Sequence, residues 1–85
     1  MRPFAVEWVA DAATELARIW IGAGDRAAVT AAQNQIDKLL ERDPVGNGQH
    51  RSEGLYRIDV SPLSCTYTID DVGRRVEVTW VWYSP

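Results

Sequence analysis

The chain has very little of what builds disulfides and metal sites, with one cysteine and one histidine among its 85 residues. A single cysteine excludes a disulfide within the chain, and one histidine, one cysteine and scattered carboxylates lack the spacing of metal ligands. Cys65 falls in the middle of an alternating apolar run. We therefore interpret it as a small buried hydrophobic residue rather than a nucleophile, since a reactive thiolate needs a polar, electropositive setting.

Long apolar segments are also missing. No stretch approaches the roughly 18 apolar residues of a membrane-spanning helix. The residues up to Trp8 contain neither a long apolar run nor a small-residue cleavage site, so we expect no signal peptide. The expected compartment is the cytoplasm, with no membrane contact.

Positive charge is scarce as well, because 9 basic against 12 acidic residues give a formal net charge of −3 and a pI of about 4.9. Phosphate contacts supply most of the non-specific affinity for nucleic acids, so an acidic chain of this kind binds them only through a local basic patch. Gly46 and Gly48 are not framed by a strand and a helix, so the sequence predicts no phosphate cradle and no cofactor.

What the second half of the chain does have is regular alternation of apolar and polar residues over positions 55–60, 63–69 and 75–83. Turn residues at 61–62 and 70–73 separate these runs, which predicts a three-stranded meander. The apolar positions, expected on a covered face, are Tyr56, Ile58, Val60, Leu63, Cys65, Tyr67, Ile69, Val76, Val78, Trp80 and Trp82. The polar positions, expected on an open face, are Arg57, Asp59, Ser64, Thr66, Thr68, Arg75, Glu77, Thr79 and Tyr83.

The first half of the chain is expected to supply the helices that cover the apolar face of the sheet. Residues 4–8 alternate and predict a short first strand, with Glu7 on the open face. Asp11 is the expected cap of a first helix and Asp25 that of a longer second helix through Arg42, each with an apolar stripe at helical spacing. The stretch 43–54 is rich in turn residues and is predicted to be mobile.

These elements predict a single domain over residues 1–85 in the order β-α-α-β-β-β. Its class is α+β, a two-layer sandwich in which a helical hairpin covers one face of a four-stranded antiparallel sheet. Short connections and the rules of handedness place the first strand beside the last, for a strand order of 1-4-3-2.

Several motifs resemble the RelE/ParE superfamily, the small toxins of bacterial type II toxin–antitoxin pairs. They are Ala-Ala-x-Glu-Leu-x-x-Ile-Trp at 12–20, Ala-x-x-x-Ile-Asp-x-Leu-Leu at 32–40, Asp-Pro at 43–44 and Gly-Leu-Tyr-Arg-Ile at 54–58. The resemblance implies the same two-layer sandwich and a cognate antitoxin protein as partner. It also implies one of two targets: RelE-like members cleave mRNA on the ribosome without a metal, and ParE-like members act on DNA gyrase.

The resemblance to the RelE-like branch implies a catalytic set of Arg51, Arg57 and Tyr83, with Tyr83 standing in for a terminal tyrosine. Asp59 and Ser64 occupy positions that are basic in that pattern, and the basic run after the last strand is replaced by residues 82–85. Three activities therefore stay open: ribosome-dependent mRNA cleavage, gyrase inhibition without catalysis, and a toxin fold that has kept only binding.

Cleavage of RNA needs a base for the 2′-hydroxyl, an acid for the leaving oxygen and cations at phosphorus. The candidates are Asp59 or His50 as base and Tyr83 as acid, with Arg57 as phosphate clamp. The alternative is a surface ion pair between Arg57 and Asp59, which alternate on one strand face. If the last strand extends beyond the helices, Trp82 and Tyr83 are expected to form an exposed aromatic edge at which an antitoxin peptide docks as a strand or helix. For gyrase contacts, the candidates are the polar helix residues Arg18, Arg26, Gln33, Lys38 and Arg42.

Overall fold

The computed structural model describes residues 2–85. The elements in chain order are β1 (Ala5–Trp8), α1 (Ala10–Gly22), α2 (Arg26–Arg42), β2 (Gln49–Ser52), β3 (Leu55–Val60), β4 (Leu63–Asp70) and β5 (Arg75–Tyr83). They form one five-stranded sheet in the order β1-β5-β4-β3-β2, and α1 and α2 pack together on one face of it. The predicted α+β sandwich with a helical hairpin on one face is confirmed. No helix within residues 2–85 is long and apolar enough to cross a membrane.

The helix ends follow the predicted capping only in part. Asp25 caps α2, and its side chain accepts the backbone N–H of Ala28 at 3.0 Å. Asp11 does not cap α1, because the helix begins one residue earlier and Val9 is the residue that precedes it. Asp11 lies in the first turn instead, where a carboxylate still interacts favourably with the helix dipole.

The first strand lies beside the last, as predicted, but the two run parallel rather than antiparallel. Ala5 pairs with Arg75 and Trp8 with Val78, whereas the other neighbouring strands pair antiparallel. Parallel neighbours need a long crossover connection, and the helical hairpin followed by the meander provides one. Short connections and handedness predicted that the first strand lies beside the last, but the direction assigned to the first strand was wrong.

The stretch predicted to be mobile contains the extra strand β2. All four of its residues are exposed and polar, so it has no alternation that a sequence pattern could detect. It pairs with the free edge of β3, with an irregularity between His50 and Ser52. The turn before it is held as well, because the Tyr67 hydroxyl donates to the buried carbonyl oxygen of Pro44 and the Asn47 amide donates to Leu39 O at 2.9 Å. The segment is therefore not irregular throughout, and the mobility predicted for it stays a prediction.

A β-bulge in β5 changes which of its side chains are buried. Thr66 of β4 pairs with Trp80 and the next residue, Tyr67, pairs with Val78, so Thr79 is the extra residue. Beyond the bulge the alternation is reversed. Val81 is fully buried, whereas Trp80 and Trp82 are 36% and 44% exposed. The prediction that both tryptophans lie in the core is wrong.

The core lies between the sheet and the two helices. It is formed by apolar side chains from both helices and the strands, the largest fully buried ones being Tyr67, Ile36, Leu40 and Leu63. Cys65 is buried there as predicted, and burial raises the pKa of its thiol to about 12. A thiol in this state stays protonated at neutral pH, which agrees with the predicted packing role.

One hydrogen bond joins β1 to α2 across the edge of the core: the Trp8 indole Nε1–H donates to Asp37 Oδ1 at 2.9 Å. Burial raises the pKa of Asp37 above its ordinary value of 3.8, and the Trp8 hydrogen bond only partly opposes that effect. A raised carboxyl pKa means that the folded state binds the proton more tightly than the unfolded state. The resulting stability is present below pH 3.8 and is lost as the pH rises through the folded pKa.

We therefore expect Asp37→Asn to stabilise the protein at pH 7 and to flatten its stability between pH 4 and pH 7. The amide oxygen still accepts from Trp8, while the partly desolvated charge is gone. The gain stays below about 1 kcal/mol, because Asp37 is only partly buried and its charge is screened by solvent. Urea unfolding at the two pH values measures the effect, with the exposed Glu53→Gln as control. A variant less stable than the parent protein at pH 7 contradicts the expectation.

Candidate functional site

The sheet surface opposite the helices carries the candidate site. We define this open face by the outward side chains of β3, β4 and β5 around the bulge: Arg57, Asp59, Ser64, Thr66, Trp80 and Trp82. The strand pairing brings them together in two rows. Arg57, Thr66 and Trp80 lie in one row, and Asp59, Ser64 and Trp82 lie in the next.

Arg57 is held in place by two neighbours. Its Nε–H donates to Asp59 Oδ1 at 3.0 Å, and its guanidinium carbon lies 5.8 Å from the centre of the Trp82 ring. The predicted surface ion pair is therefore present. Both partners are substantially exposed, so the pair contributes under about 1 kcal/mol to stability. Its effect is to orient the guanidinium beside the indole.

Asp59 is ionised at neutral pH. The Ser64 hydroxyl opposite it and the Arg57 guanidinium lower the pKa of its carboxyl, and the nearby charge of Arg51 lowers it further. Arg51 itself is exposed, in β2 at the irregularity beside His50. The structure thus brings Arg51 and Arg57 to the same end of the open face. A carboxylate with a lowered pKa is a weak general base.

The other candidates for proton transfer lie elsewhere. Tyr83 pairs with Leu63 beyond the bulge and packs, half-buried, against the core on the helix side. His50 pairs with Tyr56 and makes an edge-to-face contact with its ring at 5.2 Å, and Tyr56 stacks on the buried Tyr67. Burial raises the pKa of Tyr67 to about 12, which leaves it protonated. The expectation that Tyr83 lies on the open face with Arg57 is wrong; the catalytic role predicted for Arg51, Arg57 and Tyr83 stays a prediction.

The far end of the sheet surface is more acidic. Glu7 of β1 and Arg75 of β5 form an ion pair at 2.8 Å, and Glu77 is exposed in the same strand as Arg75. Within residues 2–85 no three metal-binding side chains cluster, so nothing described offers a metal site. The surface therefore contains arginines and carboxylates in balance, with two tryptophans between them.

The helix side offers a different surface, an apolar groove between α1 and α2 whose lining includes Leu16, Trp20 and Val29. Two of the arginines suggested for gyrase contacts, neither of which lines this groove, already have partners on the helices. Arg18 donates to Glu15 on the same helix at 2.8 Å, and Arg26 stacks over Trp20 at 4.8 Å while donating to backbone carbonyls at the end of α1.

Sequence reasoning missed Trp80 and Trp82 as members of the open face. The sequence offers only a weak signal, the polar Thr79 immediately before Trp80. In the structure Thr79 donates to the carbonyl oxygen of Thr66 at 3.2 Å, and the two threonine hydroxyl oxygens lie 2.8 Å apart. A threonine in a strand is common and does not by itself predict a bulge. Only the paired strand reveals the extra residue.

Several solved structures have a similar fold, although no protein-family model and no curated protein matches the sequence. A chain of the RelBE2 toxin–antitoxin complex of Mycobacterium tuberculosis aligns over 98% of this chain and 93% of its own, at 22% identity and a TM-score of 0.80. A chain of the chromosomal ParDE system of P. aeruginosa aligns over 96% and 97%, at 17% identity and 0.74. The isolated RelE toxin of E. coli aligns over 96% and 85%, at 18% identity and 0.69. The structural resemblance to RelE and ParE is confirmed, and this chain has the fold of those toxin–antitoxin structures.

Proposed function

We propose that this protein is the toxin component of a bacterial type II toxin–antitoxin pair, which acts in the cytoplasm and inhibits its target by binding through the open face rather than by cutting RNA. The fold supports the toxin assignment. Two of the similar structures, from Mycobacterium tuberculosis and E. coli, are complexes with an antitoxin, which supports a protein partner here as well.

The observation that carries the mode of action is the separation of Tyr83 from Arg57 by the sheet. A metal-free ribonuclease needs a base, an acid and cations at one phosphate. On the open face the carboxyl next to the arginines is Asp59, whose pKa is lowered and which already binds Arg57. Tyr83 packs on the helix side. This arrangement supports binding, and the ParE-like branch of the resemblance suggests DNA gyrase as the target.

Ribosome-dependent mRNA cleavage is the second candidate, and one observation favours it. Two exposed indoles beside an arginine are a surface on which unpaired bases stack, at about 1–3 kcal/mol per base. The acidic net charge and the pairing of Arg57 with Asp59 count against it, because they reduce the attraction for phosphate.

Tightly controlled expression in a bacterial host tests this proposal. We expect growth arrest that is relieved by the product of the neighbouring reading frame, with intact transcripts on ribosomes and an induced DNA-damage response. Arg57→Ala removes a central arginine of the open face, so we expect arrest to require at least about tenfold more protein, as for a binding hot spot. Arg75→Ala, at the acidic end, is the matched control.

Shortened ribosome-bound transcripts during arrest would favour the second candidate instead. No arrest from a protein shown to be folded would contradict the toxin assignment altogether. If Arg51→Ala/Arg57→Ala together leave the arrest unchanged, the open face is not the site of action.

A further inference from the structure

The two terminal nitrogens of Arg57 are unused hydrogen-bond donors on the open face. Its Nε bonds to Asp59, while the Nη nitrogens make no hydrogen bond to any residue within 2–85. The side chain is 39% exposed, so these nitrogens are accessible to a ligand. Two N–H groups side by side on a planar guanidinium match the two oxygens of a carboxylate.

Trp82 and Trp80 flank this pair of donors. Trp82 lies under the guanidinium, and Trp80 lies across Thr66 in the same row as Arg57. Tryptophan and arginine are the residue types that most often dominate protein–protein binding energy, when they sit together at the centre of an interface. Pre-ordering of Arg57 by Asp59 and Trp82 lowers the entropy lost on binding.

The charge around Arg57 suits a single negative group rather than a polyanion. At this end of the sheet surface, Arg51 and Arg57 together with Asp59 have a net charge of +1. At the other end, Glu7 and Glu77 together with Arg75 have a net charge of −1. A nucleic acid strand that followed the sheet would therefore pass from one favourable site to carboxylates, with little release of counterions.

We infer that the open face binds one carboxylate of the antitoxin, held end-on by the Nη nitrogens of Arg57, with apolar side chains on either side of it packed against Trp80 and Trp82. This inference rests on the proposed function, since the antitoxin is its partner. It assigns Arg57 and the two tryptophans to antitoxin recognition and Asp59 to the positioning of Arg57.

The test measures the affinity of the full-length protein for the product of the neighbouring reading frame. Arg57→Lys keeps the charge but loses the paired geometry, and we expect at least tenfold weaker binding from it. Trp80→Ala and Trp82→Ala should each weaken binding to a similar extent. Trp20→Ala, in the helix groove outside the open face, is the control with a change below about twofold. Near-UV circular dichroism shows that each variant is folded.

The partner's carboxylate is then located by replacing its acidic residues one at a time with the corresponding amides. One such change should weaken binding at least tenfold to the parent protein but by less than about twofold to Arg57→Lys, since both changes remove the same contact. Unchanged affinity in Arg57→Lys and Trp82→Ala overturns the inference, while growth arrest relieved by the antitoxin leaves the proposed function intact. Tighter binding of a ten-nucleotide single-stranded RNA, lost in the same variants, also overturns it.

Discussion

Val81→Asp is expected to unfold the protein, whereas Trp82→Asp, one residue further, leaves it folded. Val81 of β5 pairs with Cys65 of β4, and its side chain is fully buried in the core. A carboxylate there has no partner and costs about 3–5 kcal/mol, in addition to the lost burial of the valine. The whole stability of a domain of this size is of the same order, about 4–13 kcal/mol at the usual 0.05–0.15 kcal/mol per residue.

Trp82 is the matched control because it is the next residue in the same strand but lies on the open face, 44% exposed. The change to Asp removes its cation–π contact with Arg57, which is worth about 0.5–1 kcal/mol at an exposed site. Thermal unfolding followed by far-UV circular dichroism distinguishes the two variants. A folded Val81→Asp together with an unfolded Trp82→Asp would mean that β5 has no bulge and that the tryptophans form the core.

The alternating sequence pattern assigned the side chains after the bulge in β5 to the wrong faces of the sheet, and the cause can be identified. After Thr79 both alternating sets consist of apolar or aromatic residues, with Trp80 and Trp82 in one and Val81 and Tyr83 in the other. Hydrophobicity alone therefore fits either register. The bulge at Thr79 selects the second register, and the same single residue moves Tyr83 away from Arg57. Both errors in the candidate site have this one cause.

The parts of the site that precede the bulge were predictable. Arg57 and Asp59 alternate on β3, which has no irregularity in its pairing with β4, so their contact follows from spacing alone. The neighbours of β5 were predictable from the order of elements. The direction of β1 and the existence of β2 were not, because both depend on backbone pairing between segments whose side chains carry no pattern.

Gly48→Ala is expected to destabilise the protein by about 3 kcal/mol, although it adds a single methyl group. A Cβ at this position would lie 1.7 Å from the Tyr67 hydroxyl oxygen and 3.0 Å from the carbonyl oxygen of Arg57. The tyrosine cannot move freely, since it is fully buried and its hydroxyl bonds to Pro44 O. Overpacking costs about 1–3 kcal/mol and the lost buried hydrogen bond about 1–3 kcal/mol, which corresponds to a fall in Tm of roughly 12–24 °C.

The substitution Tyr67→Phe separates the cost of overpacking from the cost of the lost hydrogen bond. It removes the colliding oxygen and, alone, leaves the Pro44 carbonyl without its donor, at a cost of about 1–2 kcal/mol. In the double variant Gly48→Ala/Tyr67→Phe the collision is reduced, so the loss should be smaller than the sum of the single losses by at least about 1 kcal/mol. Gly24→Ala, with nothing within 4 Å of its added Cβ, should change stability by less than about 0.5 kcal/mol. Additive losses would show that the methyl group and the hydroxyl do not meet.

The same contact connects the core to the open face. Gly48 directly precedes β2, which carries Arg51, whose charge helps to lower the pKa of Asp59. The Tyr67 hydroxyl anchors the turn from which β2 starts. A collision at Gly48 must therefore displace β2 from β3 as well as weaken the core. We expect Gly48→Ala to reduce antitoxin affinity at temperatures where the protein is still folded, and Tyr67→Phe to restore part of it in the double variant. If the affinity follows the folded fraction alone, Arg51 and the edge strand contribute nothing to the binding surface.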